Sequence, residues 1–218
     1  NLVIIEDAAE AHGASIENIR VGALADCAVF SFFGNKIITS GEGGMITTDD
    51  EEIYQRLRHL RDHAMSKDVR YWHTELGYNY RMTNMQAALG LAQLEQIDYF
   101  ISCRANLLNH YRSLLEPHGI ECNPTKDAQP VNWMTCAVVD GLGRERRDRV
   151  ISLMRENNVD ARPFFFPISK LPMYSERKNP VSLMLSENGF NLPTYFELDL
   201  EKIGEICAVF LSSLNEVR

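Results

Sequence analysis

Short apolar runs alternate with amphipathic stretches along this chain, and their lengths separate strands from helices. Leu2-Val3-Ile4-Ile5 is a continuous aliphatic run, the pattern of a strand buried on both faces as in a parallel sheet. Cys27 to Phe32 and Gly44 to Thr48 are two further runs of this kind. Asp49 to Asp62 then predicts a helix, capped by Asp49 with Glu52 three residues on. Ile53, Leu57 and Leu60 supply its apolar stripe at i, i+4 and i+7.

Asn84 opens the longest periodic segment. Leu94, Ile97, Ile101, Leu108, Tyr111 and Leu115 recur at helical spacing until Pro117 and Gly119 stop it. Unbroken, such a helix would run on the order of 50 Å at about 1.5 Å per residue, with Gly90 as a candidate bend. Beyond it, 134–139 and 161–166 predict strands, and 144–157 and 201–217 predict helices. The last turns Ile203, Ile206, Phe210, Leu214 and Val217 inward. Arg144, Arg146, Arg147 and Arg149, interrupted by Glu145 and Asp148, have the pattern of a solvated helix start. The organisation expected is an α/β piece over 1–83, a long connecting helix over 84–118 and a smaller α/β domain over 119–218.

Composition narrows the class. With 218 residues, 45% hydrophobic and 24% charged, the chain has the balance of a globular protein and not of a disordered one. Thirty acidic against 22 basic side chains give a net charge of −8. That argues against a nucleic-acid partner, which needs clustered cations to displace counterions, and against docking on an anionic membrane. No apolar run approaches the roughly 20 residues of a membrane span. The five cysteines are widely spaced with no CxxC, so a zinc site is not expected. They read as small buried hydrophobes in a reducing compartment, the cytoplasm. The six histidines form no HExxH pair, and no metal is expected. The chain opens on its apolar strand with no basic leader before it. It is expected to be cut at Asn1 out of a longer protein, leaving Leu2 to Ile5 short of neighbours.

The chemistry concentrates in the first fifty residues. Asp7 stands at the end of the first strand, followed by Ala8, Ala9, Glu10, Ala11 and His12. Ser31 and Lys36 stand at the end of the second, with Gly34 between them, and Gly41-Glu42-Gly43-Gly44 leads into the third. Ligands of open α/β sheets bind outside the carboxyl ends of the strands. Each feature alone has a plainer reading: Asp7 as a turn residue, Lys36 as a solvated side chain, the glycines as a sharp turn. Their order suits a pyridoxal phosphate site. A lysine can condense with the cofactor aldehyde, an aspartate can keep the pyridine nitrogen protonated, and a serine can bond the phosphate.

The segments IEDAAEAHGA and FSFFGNKIITSGEGGMITTDD resemble the sugar-nucleotide aminotransferases of the DegT/DnrJ/EryC1/StrS family. The resemblance continues through Tyr71-Trp72-His73, Gly77 to Asn84, Ala88 to Gln96, Arg162-Pro163-Phe164, Pro172 to Glu176 and Asn191-Leu192-Pro193. It implies a fold-type I, aspartate aminotransferase-like chain comprising the latter part of the large cofactor domain and the C-terminal small α/β domain. It implies pyridoxal 5'-phosphate as cofactor, with Lys36 as the Schiff-base lysine, Asp7 at the pyridine nitrogen, Glu10 near the ring face and Ser31 on the phosphate. Asn79 is implied to reach the phosphate of the neighbouring subunit's cofactor, so a homodimer with shared active sites is expected. Tyr80, Arg81 and Arg162 are candidate substrate contacts.

Within the family, FFGNK, YWH, GYNYRMTN and PMYSE look most like members that move an amino group from L-glutamate to GDP-4-keto-6-deoxymannose. Ser169 departs from that pattern, standing where relatives often carry His. The segment that supplies a phosphate-binding turn and a ring-stacking aromatic in the family has no counterpart in the sequence. Two alternatives remain beside amino transfer. One is ketosugar dehydration, for which relatives carry His where Lys36 stands. The other is a non-catalytic fragment.

Overall fold

A computed structural model describes residues 2–217, so Asn1, the expected cut point, lies outside the described residues. The elements in chain order are β1 (Ile5–Asp7), β2 (Ser15–Ile16), β3 (Ile19–Arg20), β4 (Cys27–Ser31), β5 (Gly44–Thr47), α1 (Glu51–Arg61), α2 (Asn84–Leu94) and α3 (Ile97–Leu115). Then follow β6 (Glu121–Cys122), β7 (Thr135–Val138), α4 (Arg144–Glu156), β8 (Arg162–Pro163), α5 (Pro180–Asn188), β9 (Gly189–Leu192) and α6 (Leu200–Val217). The chain forms two compact units. One holds the chain up to Ile101 with Asp127–Val131, the other Ser102–Lys126 with the chain from Asn132.

In the first unit, β1, β4 and β5 form a mixed sheet in that order. β1 runs parallel to β4, with Asp7 opposite Val29. β5 runs antiparallel to β4, with Ser31 opposite Gly44. The first strand begins at Ile5, later than expected, and Leu2 and Ile5 are 92% and 66% exposed, in keeping with the expectation that this run is short of neighbours. The cause is position, since β1 is an edge strand paired with β4 alone, and aliphatic side chains at an uncovered edge stay in solvent. Met45, Ile46 and Val29 are likewise exposed.

The first helix starts one residue later than expected. Asp50, not Asp49, is the cap, its Oδ1 accepting from the Ile53 amide at 2.9 Å. Thr48 Oγ1 accepts from the Asp50 amide and closes the turn before it. α2 starts from a capping box in which Thr83 and Gln86 satisfy each other's backbone amides.

The expected long helix is two helices, and the break lies at Glu95–Gln96 instead of at Gly90, which sits inside α2. The Gln96 amide donates to Gln93 O in a tightened turn. The Gln96 side chain takes the Ala92 carbonyl, the acceptor that its own backbone amide would use in a continuing helix.

The second unit has an antiparallel sheet in the order β6–β7–β9–β8. Its core joins the latter part of α3 with α4, β9 and α6 through Tyr111, Val150, Met154, Phe190, Ile203, Phe210 and Leu214, all buried. Phe190 and Phe210 meet edge to face at 4.9 Å. The buried Tyr111 hydroxyl donates to Pro193 O at 2.8 Å, as a buried phenol must find an acceptor. Arg104 is buried, stacks on Phe196, and donates to the carbonyls of Trp133 and Thr194. Burial lowers its pKa to about 10.

Three expectations change in this unit. Arg147 is buried, donating to Ser186 O and pairing with Asp148, so the start of α4 is not solvated throughout. The strand expected over 161–166 shrinks to Arg162–Pro163, because its partner β9 begins at Gly189, whose carbonyl accepts from the Phe164 amide as the last bond of the pairing. α5 and β9 had no clear apolar period to announce them. All five cysteines are free, and burial pushes the Cys122 and Cys207 thiols up to about 12. Among the described residues no helix is long and apolar enough to cross a membrane, and no three-ligand metal cluster occurs.

Phe210→Ala is expected to cost about 3–5 kcal/mol in urea unfolding. Leu200→Ala, at the half-exposed start of the same helix, is expected to stay within about 0.5 kcal/mol of the parent.

Candidate active site

Lys36 sits in a short loop anchored at both ends. Its amide donates to Phe33 O at 3.0 Å, closing the turn through Gly34. Ile37 and Ile38, immediately after it, are fully buried and pin the backbone. The loop then folds back: Ser40 N–H donates to Phe32 O at 3.0 Å, and Phe32 N–H donates to Gly43 O at 2.9 Å. Thr39 N–H donates to the Gln93 side chain and Gln86 Nε2 to Glu42 O, tying the loop to α2. The glycine run is the return turn. Gly43 has φ +122°, and a Cβ on Gly44 would stand 2.7 Å from the Phe30 carbonyl.

The register of β1 and β4 brings Asp7 and Ser31 to one side of the sheet. Asp7 pairs with Val29, and Ser31, two residues on, shares the face of Val29. Asp7 Oδ1 accepts from Ala9 N at 3.1 Å, and Ser31 Oγ accepts from Phe33 N at 3.3 Å. Between Asp7 and Glu10 lie the fully buried Ala8 and the small Ala9. Glu10 meets Lys36: Nζ lies 3.0 Å from Glu10 Oε1, with the lysine side chain 10% exposed and the carboxylate 50%.

The turn carrying Glu10 also buries His12, which is 3% exposed. Its ring lies 5.4 Å from the Phe30 ring and 5.9 Å from the Phe32 ring. Burial lowers its pKa, and the Lys36 charge lowers it further, against the Ser31 carbonyl, which favours a proton there. Neither ring nitrogen has a hydrogen bond of regular geometry among the described residues. In the sequence it is one of six histidines that form no HExxH pair. The signal was Glu10-x-His12 on one turn after a strand, two polar residues among four alanines.

The remaining candidates lie elsewhere. Asn79 is exposed on the segment between α1 and α2 and bridges Asp62 backbone to backbone. Tyr80 stacks on Tyr78 at 5.0 Å, and Arg81 pairs with Asp62 at 3.3 Å. Arg162 belongs to the second unit, where it pairs with Asp160 at 2.9 Å. The first unit therefore assembles an amine, two carboxylates and a hydroxyl from two strand ends and the loops that follow them.

Comparisons with known proteins agree on the kind of molecule. The description of the DegT/DnrJ/EryC1/StrS aminotransferase family matches residues 1–211. GDP-perosamine synthase of Escherichia coli O157:H7 is 40% identical over 222 residues, covering 99% of this chain and 58% of that protein. The Caulobacter vibrioides GDP-perosamine synthase is 42% identical over 214 residues, covering 93% and 57%. The Spr1654 protein of Streptococcus pneumoniae, proposed as a sugar aminotransferase and solved in its PMP form, superposes with a TM-score of 0.93 at 26% identity. That match covers all of this chain and 60% of that one. The chain thus spans less than two thirds of the length of these relatives.

Gly44→Ala is expected to destabilise the first unit by about 1–3 kcal/mol, because a backbone oxygen blocks the new methyl group. Gly34→Ala, whose Cβ would meet its nearest neighbour at 3.8 Å, is expected to be tolerated. Thermal unfolding of the pair separates the two glycines.

Proposed function

Because the chain belongs to the DegT/DnrJ/EryC1/StrS aminotransferase family, we propose that it carries the reactive lysine of a pyridoxal phosphate-dependent sugar-nucleotide aminotransferase. The donor is L-glutamate and the acceptor a nucleotide-linked 4-keto-6-deoxy sugar. Identities of 40% and 42% to two GDP-perosamine synthases favour GDP-4-keto-6-deoxymannose as that sugar. The observation that carries the reading is the Lys36 amine on a pinned loop, opposite Glu10 and beside the strand ends that bear Asp7 and Ser31.

The donor set fits the cofactor. The aldehyde needs an amine, the pyridine nitrogen an anion, the phosphate a hydroxyl, and the ring a floor of small side chains; Lys36, Asp7, Ser31 and Ala8–Ala9 answer these needs. Pyridoxal phosphate, when bound, supplies a ring that takes up the electron pair of a broken C–H bond. Asp7 keeps a proton on the ring nitrogen by its charge. Ser31 Oγ would hold the phosphate, and Glu10 would stand on the ring side of the site. Lys36 Nζ would hold the aldehyde and serve as the acid–base group that accepts and returns a proton in both halves of the reaction.

The same reading makes the first unit the latter part of a cofactor-binding large domain and the second a small domain, with residues 84–118 connecting them. It makes the working enzyme a homodimer in which Asn79 serves the partner's site and Tyr80, Arg81 and Arg162 touch substrate. Five free cysteines suit the cytoplasm.

Lys36→Ala is expected to lower turnover about 100- to 10,000-fold. Undiminished turnover in that variant would sink the assignment. GDP-, UDP- and dTDP-linked ketosugars assayed in parallel test the acceptor. Amination of a non-GDP sugar alone would overturn the perosamine reading and leave the family reading standing. Release of a dehydrated sugar in place of an amino sugar would favour the dehydratase. A chain that stays colourless with pyridoxal phosphate and fixes none of it on borohydride reduction would favour the non-catalytic fragment.

A further inference from the structure

We propose that Asn188–Gly189 is a concealed self-modification site. While the second unit is closed the pair is inert. When α5 and β9 part from α4 and β7, the Gly189 nitrogen attacks the Asn188 side-chain amide, and the unit cannot close again on the isoaspartate that results.

Asn-Gly occurs once in the 218 residues, and packing fixes each half. Gly189 has ordinary backbone angles, φ −96° and ψ 145°, so conformation does not demand a glycine there. Space does: a Cβ would stand 2.4 Å from the Phe164 ring and 2.7 Å from Leu185 O. Asn188, the last residue of α5, is 6% exposed. Its Oδ1 accepts from the Gly143 amide at 2.8 Å, and its Nδ2 donates to Met184 O at 2.7 Å. Gly143 precedes α4 and has no side chain with which to cap it. The asparagine thus pairs a backbone amide that would otherwise be buried alone. Its own carbonyl accepts from Val139 N at 3.1 Å.

The two requirements place side by side an amide that can be displaced and a nitrogen that no side chain crowds. In an open chain the Gly189 nitrogen loses its proton to water and bonds to Asn188 Cγ. The Cγ–Nδ2 bond breaks, and Nδ2 leaves as ammonia, closing a cyclic imide. Water then opens the ring at either carbonyl, giving aspartate or isoaspartate. The sequence of steps consumes one water, releases one ammonia and needs no oxidant or cofactor.

The closed unit blocks the first of these steps. Cγ must swing onto the Gly189 nitrogen, and both ends of its amide are tied. Gly189 is itself held, opposite Val138 in the sheet and accepting from Phe164 N at 3.2 Å. The reaction therefore waits for an opening, and its rate follows the population of the open form. Isoaspartate then adds one carbon to the main chain between α5 and β9. The Val139–Asn188 bond and the Val138–Gly189 pair lie on either side of that point. The added atom pulls them out of register, and the opening becomes irreversible.

The test needs no turnover. The chain in buffer, the chain held unfolded in urea and a synthetic peptide spanning Leu185 to Leu192 are incubated side by side. Conversion at residue 188 is followed by peptide mass spectrometry. The unfolded chain is expected to convert at the peptide's rate, and the folded chain at least about a hundredfold more slowly. Phe210→Ala, which loosens the core of the same unit, is expected to raise the folded chain's rate by about tenfold or more. Leu200→Ala is expected to leave it unchanged. At partial conversion, a brief protease pulse separates open molecules from closed ones. Isoaspartate at 188 is expected to concentrate in the cleaved fraction and to be depleted several-fold from the resistant one.

A folded chain that converts as fast as the peptide overturns the proposal. So does a Phe210→Ala rate equal to the parent's, or isoaspartate equally frequent in the two fractions. If Phe210→Ala does not fold, it is expected to convert at the peptide's rate, and slower conversion overturns the proposal as well.

Discussion

Two backbone hydrogen bonds at Phe32, its amide donating to Gly43 O and its carbonyl accepting from Ser40 N, govern what the first unit can do. They fold the segment after β4 back on itself. With Ile37 and Ile38 buried behind it, the Lys36 backbone has little freedom left. A long flexible side chain becomes useful for chemistry only when its base is fixed, because positioning is a large part of what a catalyst supplies. Pairing of β4 with β5 requires Gly44 to lie against the Phe30 carbonyl, so a glycine on one strand decides where the lysine on the preceding loop can reach.

The same sheet carries the partners. β1 delivers Asp7 at the level of Val29, and the turn that leaves it must pass back under β4 before the hairpin of β2 and β3. That passage puts Glu10 on Lys36 and His12 beneath Phe30 and Phe32. The second unit is held by different physics. Its antiparallel sheet and α4 and α6 enclose an aromatic pair, and its buried polar groups, Arg104, Arg147 and Tyr111, each end on a backbone carbonyl. These bonds satisfy strand ends and helix ends that would otherwise be buried unpaired.

Much of this was legible in the chain, for reasons that can be stated residue by residue. Ile203, Ile206, Phe210 and Leu214 mark α6 because one helical face meets a core and nothing else competes. Cys27 to Ser31 reads as a strand because β-branched and aromatic residues suit a sheet that has neighbours on both sides. Leu2 to Ile5 stays exposed, as a run expected to be short of neighbours, because an apolar run is buried only where another element covers it, and β1 lies at an edge. The break at Glu95–Gln96 was hidden because it depends on one glutamine side chain taking Ala92 O, a choice with no signature in hydrophobic period. For the site, spacing alone pointed to Asp7, Ser31 and Lys36, since all three follow strand ends. Contact between Glu10 and Lys36, 26 positions apart, required the parallel register that only the folded sheet defines.

The two tryptophans fall one to each unit. Trp72 is 63% exposed in the segment between α1 and α2, where its carbonyl accepts from Ser66 N. Trp133 is half-buried, and its carbonyl receives Arg104. An indole in water emits at longer wavelength than one sheltered by protein. The molecule therefore contains two optical reporters of different colour, and single-tryptophan versions would record the melting of each unit separately in a chain that carries no added label.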